Sequence, residues 1–372
     1  MDLSFSPSVM ASTSSSSELP DGEVLVPAPD PLVHVAFNQH GTHFVAATAT
    51  DFHVFSCHPL ERVMHRRGSD GCTFKVTSAQ LLTRSQLAVA TRRPGADGAD
   101  GAVDGHVIDF WNGMCKPKDA RTNTVRSPCG AVGGFRLRGD HMLVAGEGTA
   151  TLFEGVHWEK EVTTGPNPLG LCAMEEPNGP ATLVYALPLP EAGSVQVRRR
   201  GRAGSVSVRA HGSGVACLAL SPDGRLLATA GTRGTLLRIF STADGTKLQE
   251  LRRGTEGADI HCIAFSHDSK WLGVSSDKAT VHVFSINDFN LTSSTLEEDH
   301  ASYLPTYFSS KWSFAQFRIP NAWTKCSVAF DRRHPNTITI VCMDKRFYRC
   351  EFDPVKGGDM VPGVYHENFM DL

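Results

Sequence analysis

The sequence predicts an all-β chain folded as one seven-bladed β-propeller of WD40-like repeats, and three observations carry that prediction. The stretch VACLALSPDGRLLATAGTRGTLLRIF (215–240) and the stretch IHCIAFSHDSKWLGVSSDKATVHVF (260–284) repeat each other. Cys217 and Cys262, Ser221 and Ser266, Asp223 and Asp268, Leu227 and Leu272, and Thr235 and Thr280 recur 45 residues apart, the period of a propeller blade. Each unit reads as a β-meander: an alternating strand, a polar turn at S-P-D-G or S-H-D-S, a strand of small residues, a second polar turn, and a strand ending in I-F or V-F. Finally, seven such units use nearly all of the chain, as expected of four-stranded sheets around one axis.

In chain order the units are placed at 32–56, 79–112, 133–155, 169–188, 215–240, 260–284 and 326–353. The first fits the template closely, the last loosely, and the second to fourth diverge most. Residues 1–24, with the tract STSSSS and little that is hydrophobic, are expected to be a disordered tail. The propeller is expected to span 25–356 and to be followed by a C-terminal tail, 357–372. Two insertions interrupt it: the Gly/Asp-rich 92–105 inside the second unit, and 286–310 after the sixth, which lacks strand periodicity. A compact domain rarely keeps so long a loop without a use.

Composition narrows the functional classes. With 36 basic against 39 acidic residues and a formal charge of -3, the chain as a whole does not attract nucleic acid or anionic lipid, so any anion binding must be local. The ten cysteines form no C-x-x-C and no zinc-finger spacing, and read as small buried hydrophobes of a reducing compartment. There is no run of 18 apolar residues and no signal-peptide pattern, which predicts a soluble intracellular protein with a peripheral membrane role left open. No G-x-S-x-G, Walker loop, H-E-x-x-H or H-x-E with C-x-x-C is present, and the sixteen histidines form no ligand pattern. Neither catalytic residues, nor a cofactor, nor a metal is assigned.

One short stretch stands out. LRRG (251–254) puts two permanent charges side by side between strands that otherwise read as buried. Neighbours on an extended chain point to opposite sides, so Arg252 and Arg253 serve two pockets rather than one. Guanidinium geometry suits phosphate, and Gly254 lets the chain turn or a ligand approach the backbone. The flanking repeats add hydroxyls and donors: Thr229, Thr232, Thr235 and Arg238 in unit five, and Ser275, Ser276, Thr280 and His282 in unit six. The residues alone leave two readings open. Either two anion sites flank one strand, or the arginines pair with acids of neighbouring blades and the hydroxyls fill turns.

These residues resemble the PROPPIN family of phosphoinositide-binding β-propellers, the WIPI proteins of animals. The resemblance lies in L-R-R-G between two repeats, the S-S-D-K-x-T-V-H-x-F block, P-N-P-L-G-L-C (166–172), A-H at 210–211 and Y-F-S-S-K-W-S-F-A-Q-F (307–317). It is strong from about 166 to 353 and colinear in the first three units. It implies a non-enzymatic propeller that binds phosphatidylinositol 3-phosphate and phosphatidylinositol 3,5-bisphosphate and acts in autophagosome formation. Such a protein is cytoplasmic and peripheral on preautophagosomal, endosomal or vacuolar membranes. By the same resemblance the first headgroup site uses Thr229, Gly234, Thr235, Arg238 and Arg252. The second uses Arg253, Gly254, Ser275, Ser276, Thr280 and His282.

Three positions depart from the family pattern: Gly231 stands where the first site commonly has serine, Ala279 replaces a turn glycine, and Leu251 replaces a phenylalanine. The family also inserts a sixth-blade loop into the bilayer, which maps to 286–310, with Phe289, Leu291, Leu296, Tyr303 and Leu304 as the entering side chains and Glu297, Glu298 and Asp299 opposing anionic lipid. Asn38 matches a first-blade position through which narrower-range members hold an autophagy lipid-transfer protein, and His40 stands where they have an acid. The cluster RRRGR (198–202) reads as a solvated loop or as added positive potential.

Overall fold

In the computed structural model the described residues are 30–67, 75–82, 86–93, 105–112, 121–127, 129–154, 157–202, 204–287, 310–320 and 324–372. They build seven antiparallel sheets, each a meander of four main strands, and the fold is a seven-bladed β-propeller. The seven units read from the repeats fall on the inner strands of the seven sheets. Most of the 92–105 insertion, 94–104, lies outside the described residues, as do 1–29 and 288–309. The tail expected at 1–24 and the side chains Phe289, Leu291, Leu296, Tyr303 and Leu304 therefore fall outside them too.

Strand alternation explains how the blades stack. In blade 1 Phe44 and Ala46 belong to an apolar cluster shared with Val341, Phe347 and Phe369 of the seventh-blade end. Val45 and Ala47, one residue out of phase, belong to a cluster shared with Val76, Ala79 and Leu87 of blade 2. Each sheet thus buries both faces against two neighbours, which is why its inner strands are apolar on both sides. The same division recurs between blades 5 and 6, where Leu237, Ile239 and Leu251 meet Ile263, Val274 and Phe284.

The C-terminal segment differs from expectation. Val361–His366 is the outer strand of blade 7, paired with Phe347–Glu351, and Gly358–Asp359 adds a short parallel strand to blade 6. Phe369 is fully buried, with its ring 5.2 Å from both Phe44 and Phe55 of blade 1. Residues 357–372 are thus part of the propeller and latch its last blade to its first. The sequence hid this because V-P-G-V-Y-H has no apolar alternation: it pairs through its backbone at an outer edge where side chains stay half-exposed or exposed. Blade 5 gains a similar fifth strand, Lys311–Trp312, parallel to Lys247–Arg252.

Candidate functional site

The strand Lys247–Arg252 closes blade 5 and delivers both arginines. Its register pairs Arg238 with Glu250 and Leu236 with Arg252, while Thr229 pairs with Arg238. Residues opposite each other across antiparallel strands share a face, so Thr229, Arg238, Glu250 and Arg252 lie together on the face turned to blade 4. There the Arg238 guanidinium donates to the Ala210 carbonyl at 2.7 Å, and the His211 ring meets the Thr229 hydroxyl at 2.9 Å. Leu251, on the other face, packs toward blade 6. By the same alternation Arg253 follows Leu251, on the face opposite to Arg252.

The blade-4 side is already partly neutralised. Arg238 donates through Nε to Glu250 Oε2 at 2.9 Å, and the other carboxylate oxygen accepts from the Ser310 hydroxyl at 2.8 Å. Burial opposes ionisation of Glu250, but these hydrogen bonds and the Arg238 charge outweigh it and hold the carboxyl below its usual range. Burial, with the Arg238 charge, pushes His211 down to about 4. Thr229 is fully buried with its hydroxyl on the His211 ring, which stands between it and the surface. The place of Gly231 has a steric reason: a Cβ there would come 2.9 Å from the His211 ring.

On the blade-6 side the charge is left open. Arg253 is buried, donates Nε to the Gly234 carbonyl at 2.7 Å and bonds the Glu256 carbonyl. Among the described residues no carboxylate lies within ion-pair distance of it. Burial lowers its pKa from the ordinary value, with Asp277 and Glu256 opposing from farther away. His282 faces it from the strand Thr280–Ser285; burial and then the Arg253 charge bring its pKa to about 4, so the ring is neutral near pH 7. Its Nδ1 is buried without a hydrogen-bond partner. An orphan imidazole nitrogen beside an uncompensated guanidinium is a costly arrangement unless an anion completes it.

Parity sorts the remaining second-site residues. Val274 pairs with His282, so Ser276, Thr280 and His282 share the face turned to blade 5. Ser275 does not: its hydroxyl donates to the Cys326 carbonyl of blade 7 at 2.6 Å, which spends it on the opposite face. Gly254 has open space around it and no left-handed φ, so close backbone approach is the use its missing side chain leaves. Gly234, in contrast, is obligatory for the fold, with φ +63 and a Cβ that would overlap the Ala258 carbonyl. Thr235 lines a cavity of about 380 Å³ with Arg233, Thr255, Asp259 and Asp277, so one guanidinium there is matched by two acids.

Sequence reasoning missed Glu250, which pairs with Arg238, and Ser310, whose hydroxyl donates to that carboxylate. The signal was available for Glu250, two residues before Arg252 and therefore on its face. The first-blade residue Asn38 is engaged in the turn: its carboxamide donates to the Thr42 hydroxyl and accepts from the Thr42 and His43 amides. His40 is half-buried in the same turn, and burial lowers its pKa.

Comparison with known proteins agrees with this architecture. The family model PROPPIN matches residues 140–329. Autophagy-related protein 18e of Arabidopsis thaliana is 34% identical over 351 residues, covering 92% of this chain and 88% of that protein. Autophagy-related protein 18 of Phaeosphaeria nodorum is 28% identical over 339 residues, with 84% and 78% covered. Among solved structures, Kluyveromyces lactis Hsv2 superimposes with a TM-score of 0.69 at 22% identity, covering 91% of this chain and 99% of that one. A complex described as KlAtg21 with the coiled-coil of AgAtg16 gives 0.70 at 17% identity, with the same coverage. At those identities the structures speak for the fold. The family match and the long plant relative speak for descent: this chain belongs to the PROPPIN family of autophagy-related β-propellers.

Proposed function

We propose that this protein is a non-enzymatic membrane effector that reads phosphatidylinositol 3-phosphate and phosphatidylinositol 3,5-bisphosphate through two rim sites flanking LRRG. The observation that carries the reading is the pair Arg253 and His282: among the described residues, a buried guanidinium with no carboxylate at ion-pair distance beside an imidazole nitrogen with no hydrogen-bond partner. A phosphate supplies the missing acceptor and charge together. The second site consists of Arg253, Ser276, Thr280 and His282 around the open backbone at Gly254. The first consists of Arg252 and Arg238 with His211 and Thr229 behind them, and Glu250 makes it the weaker of the two. Segment 286–310 enters the bilayer interface, and loop and headgroup sites reinforce one another by effective concentration.

The bound protein recruits autophagy proteins on preautophagosomal, endosomal or vacuolar membranes. The first blades, and a face comparable to the one through which KlAtg21 is described in complex with a coiled-coil, are the candidate recruiting surfaces. Conversion of Arg252 and Arg253 to Thr abolishes flotation with liposomes carrying either lipid while leaving the circular dichroism melt close to wild type. Undiminished flotation overturns the reading. The rival reading, a protein-interaction scaffold with structural arginines, draws on the Arg253 bonds to the Gly234 and Glu256 carbonyls. It predicts a collapsed melt in the same variant.

A further inference from the structure

Blade 1 repeats the blade-6 strand with its chemistry altered. The third strand of blade 6 reads T-V-H-V-F-S (280–285) and that of blade 1 reads D-F-H-V-F-S (51–56), so His53 takes the place of His282 and Asp51 that of Thr280. Across the sheet His282 faces Gln316, whereas His53 faces His65 on the outer strand Leu60–Arg67. We infer that Asp51, His53 and His65 form a binding site for a divalent transition-metal ion of the zinc type, set in the groove between blades 1 and 7.

Three observations converge on this. One ring nitrogen of each histidine and one carboxylate oxygen lie within 4.8 Å of one another. His65 Nε2 stands 3.2 Å from Asp51 Oδ2, already close to the separation of about 3.3 Å that two ligands take around a tetrahedral ion with bonds of about 2.0 Å. His53 is only 6% exposed and its Nδ1 has no partner, and Asp51 Oδ1 is also buried and unpartnered. The two imidazoles stack face to face, centroids 4.1 Å apart and 5° from parallel, so the His65 ring, 40% exposed, turns to aim its lone pair at the point that the His53 lone pair reaches.

Two imidazoles and one carboxylate are the ligand types of zinc sites that keep a fourth position open. Arg67 approaches Asp51 Oδ2 at 3.6 Å, but its side chain is 74% exposed and swings away without leaving a buried charge behind. His53 pairs with Ala46, which packs with Phe55 and Phe347, so the ion sits on the blade-7 face. There it clips the largely exposed strand Leu60–Arg67 to its neighbour and offers its open position to water or to a side chain of a docked protein.

The test uses the full-length, tag-free chain and Zn2+ alone, followed by equilibrium dialysis and by thermal melting. One ion binds per cluster and raises the melting temperature. In His65→Ala and in Asp51→Asn affinity falls by more than the roughly 10–100-fold that loss of a mere supporting partner costs a metal site, and the thermal shift disappears. Co2+ in place of Zn2+ gives the d–d absorption of a nitrogen/oxygen sphere. Absence of binding to the wild-type chain, unchanged affinity in both variants, or a thiolate charge-transfer band with Co2+ overturns the inference. Should a variant lose its fold, the wild-type cobalt spectrum still decides between histidine and cysteine ligation.

Discussion

The strands T-V-H-V-F-S in blade 6 and D-F-H-V-F-S in blade 1 place a histidine at the same point of the same scaffold and surround it with opposite charge. Both rings are buried, both have Nδ1 without a partner, and both are pushed down to about 4, chiefly by burial. The second influence differs in its source: Arg253 across the blade interface in one case, His65 across the strand in the other. Asp51 stands where blade 6 has Thr280 and His65 where it has Gln316, and together they distinguish the proposed cation site from the proposed anion site. The lesson is that a propeller repeat fixes where a side chain points, while two or three neighbours fix what it binds.

The largest effect that breaks this contrast is removal of the blade-6 charge. Arg253→Glu lowers phosphoinositide affinity by loss of a charged hydrogen-bond donor worth about 1.5–3 kcal/mol, roughly 10–150-fold, with added repulsion on top. Liposome co-sedimentation measures it, and zinc uptake by blade 1 stays unchanged in the same variant. The corresponding Arg252→Glu variant loses less, because Glu250 already offsets positive charge on that side through Arg238. Equal losses would show that the two sites are not ranked by their carboxylates.

The strand parity behind this ranking was legible in the sequence, and so were the repeat period and the number of blades. Parity was also sufficient to separate Ser275 from Ser276, Thr280 and His282, since 275 is odd and the others even. The repeat positions and the family motif both grouped the two serines, and the Ser275 bond to Cys326 shows what strand parity adds. The latch at Phe369 was not legible. Its strand pairs through the backbone with no alternating apolar pattern, and the burial of one phenylalanine among twenty in the chain depends on tertiary closure alone. The Asp51, His53, His65 cluster lay between these cases. Its residues are spaced for it, but only strand pairing brings His65 opposite His53.

Acidity separates the two histidine sites in sign. His53 and His282 both start from 6.5 and fall to about 4 in the folded chain, as do His34 and His211. Below pH 6.5 the unfolded chain takes up protons that the folded chain refuses until about pH 4. Stability that is complete above pH 6.5 is therefore lost progressively as pH falls toward 4, on the order of 1–3 kcal/mol for each such histidine. Ligands bend this dependence in opposite directions. Zinc needs neutral imidazoles, so its binding is lost as the pH falls toward the value of about 4 at which the buried His53 ring takes up a proton. A phosphate beside His282 favours the imidazolium, so headgroup binding strengthens. Urea melts and binding curves at stepped pH check both, and His282→Gln removes the second trend while leaving the first.

The smallest expected effect concerns the turns that launch these two strands. In blade 1 the turn is held by Thr48, whose hydroxyl accepts from the Asp51 amide at 3.0 Å and whose own amide donates to the Asp51 carbonyl at 2.8 Å. In the matching turn of blade 6 the position of Thr48 is taken by Asp277, whose carboxylate accepts from the Asp259 amide instead, and Ala279 sits at φ +56 in the left-handed region. There a Cβ costs about 1–2 kcal/mol, and glycine would return part of that gain through its freer unfolded state. Ala279→Gly should therefore raise stability by about 0.5–1 kcal/mol, while Thr48→Ala lowers it by a hydrogen-bond increment of about 0.5–1.5 kcal/mol. Urea denaturation resolves both changes. Stabilisation without loss of lipid binding would mean that the Ala279 strain is dispensable for the His282 site. A more stable variant that binds headgroups less well would mean that the strained turn sets the Thr280 hydroxyl where the phosphate needs it.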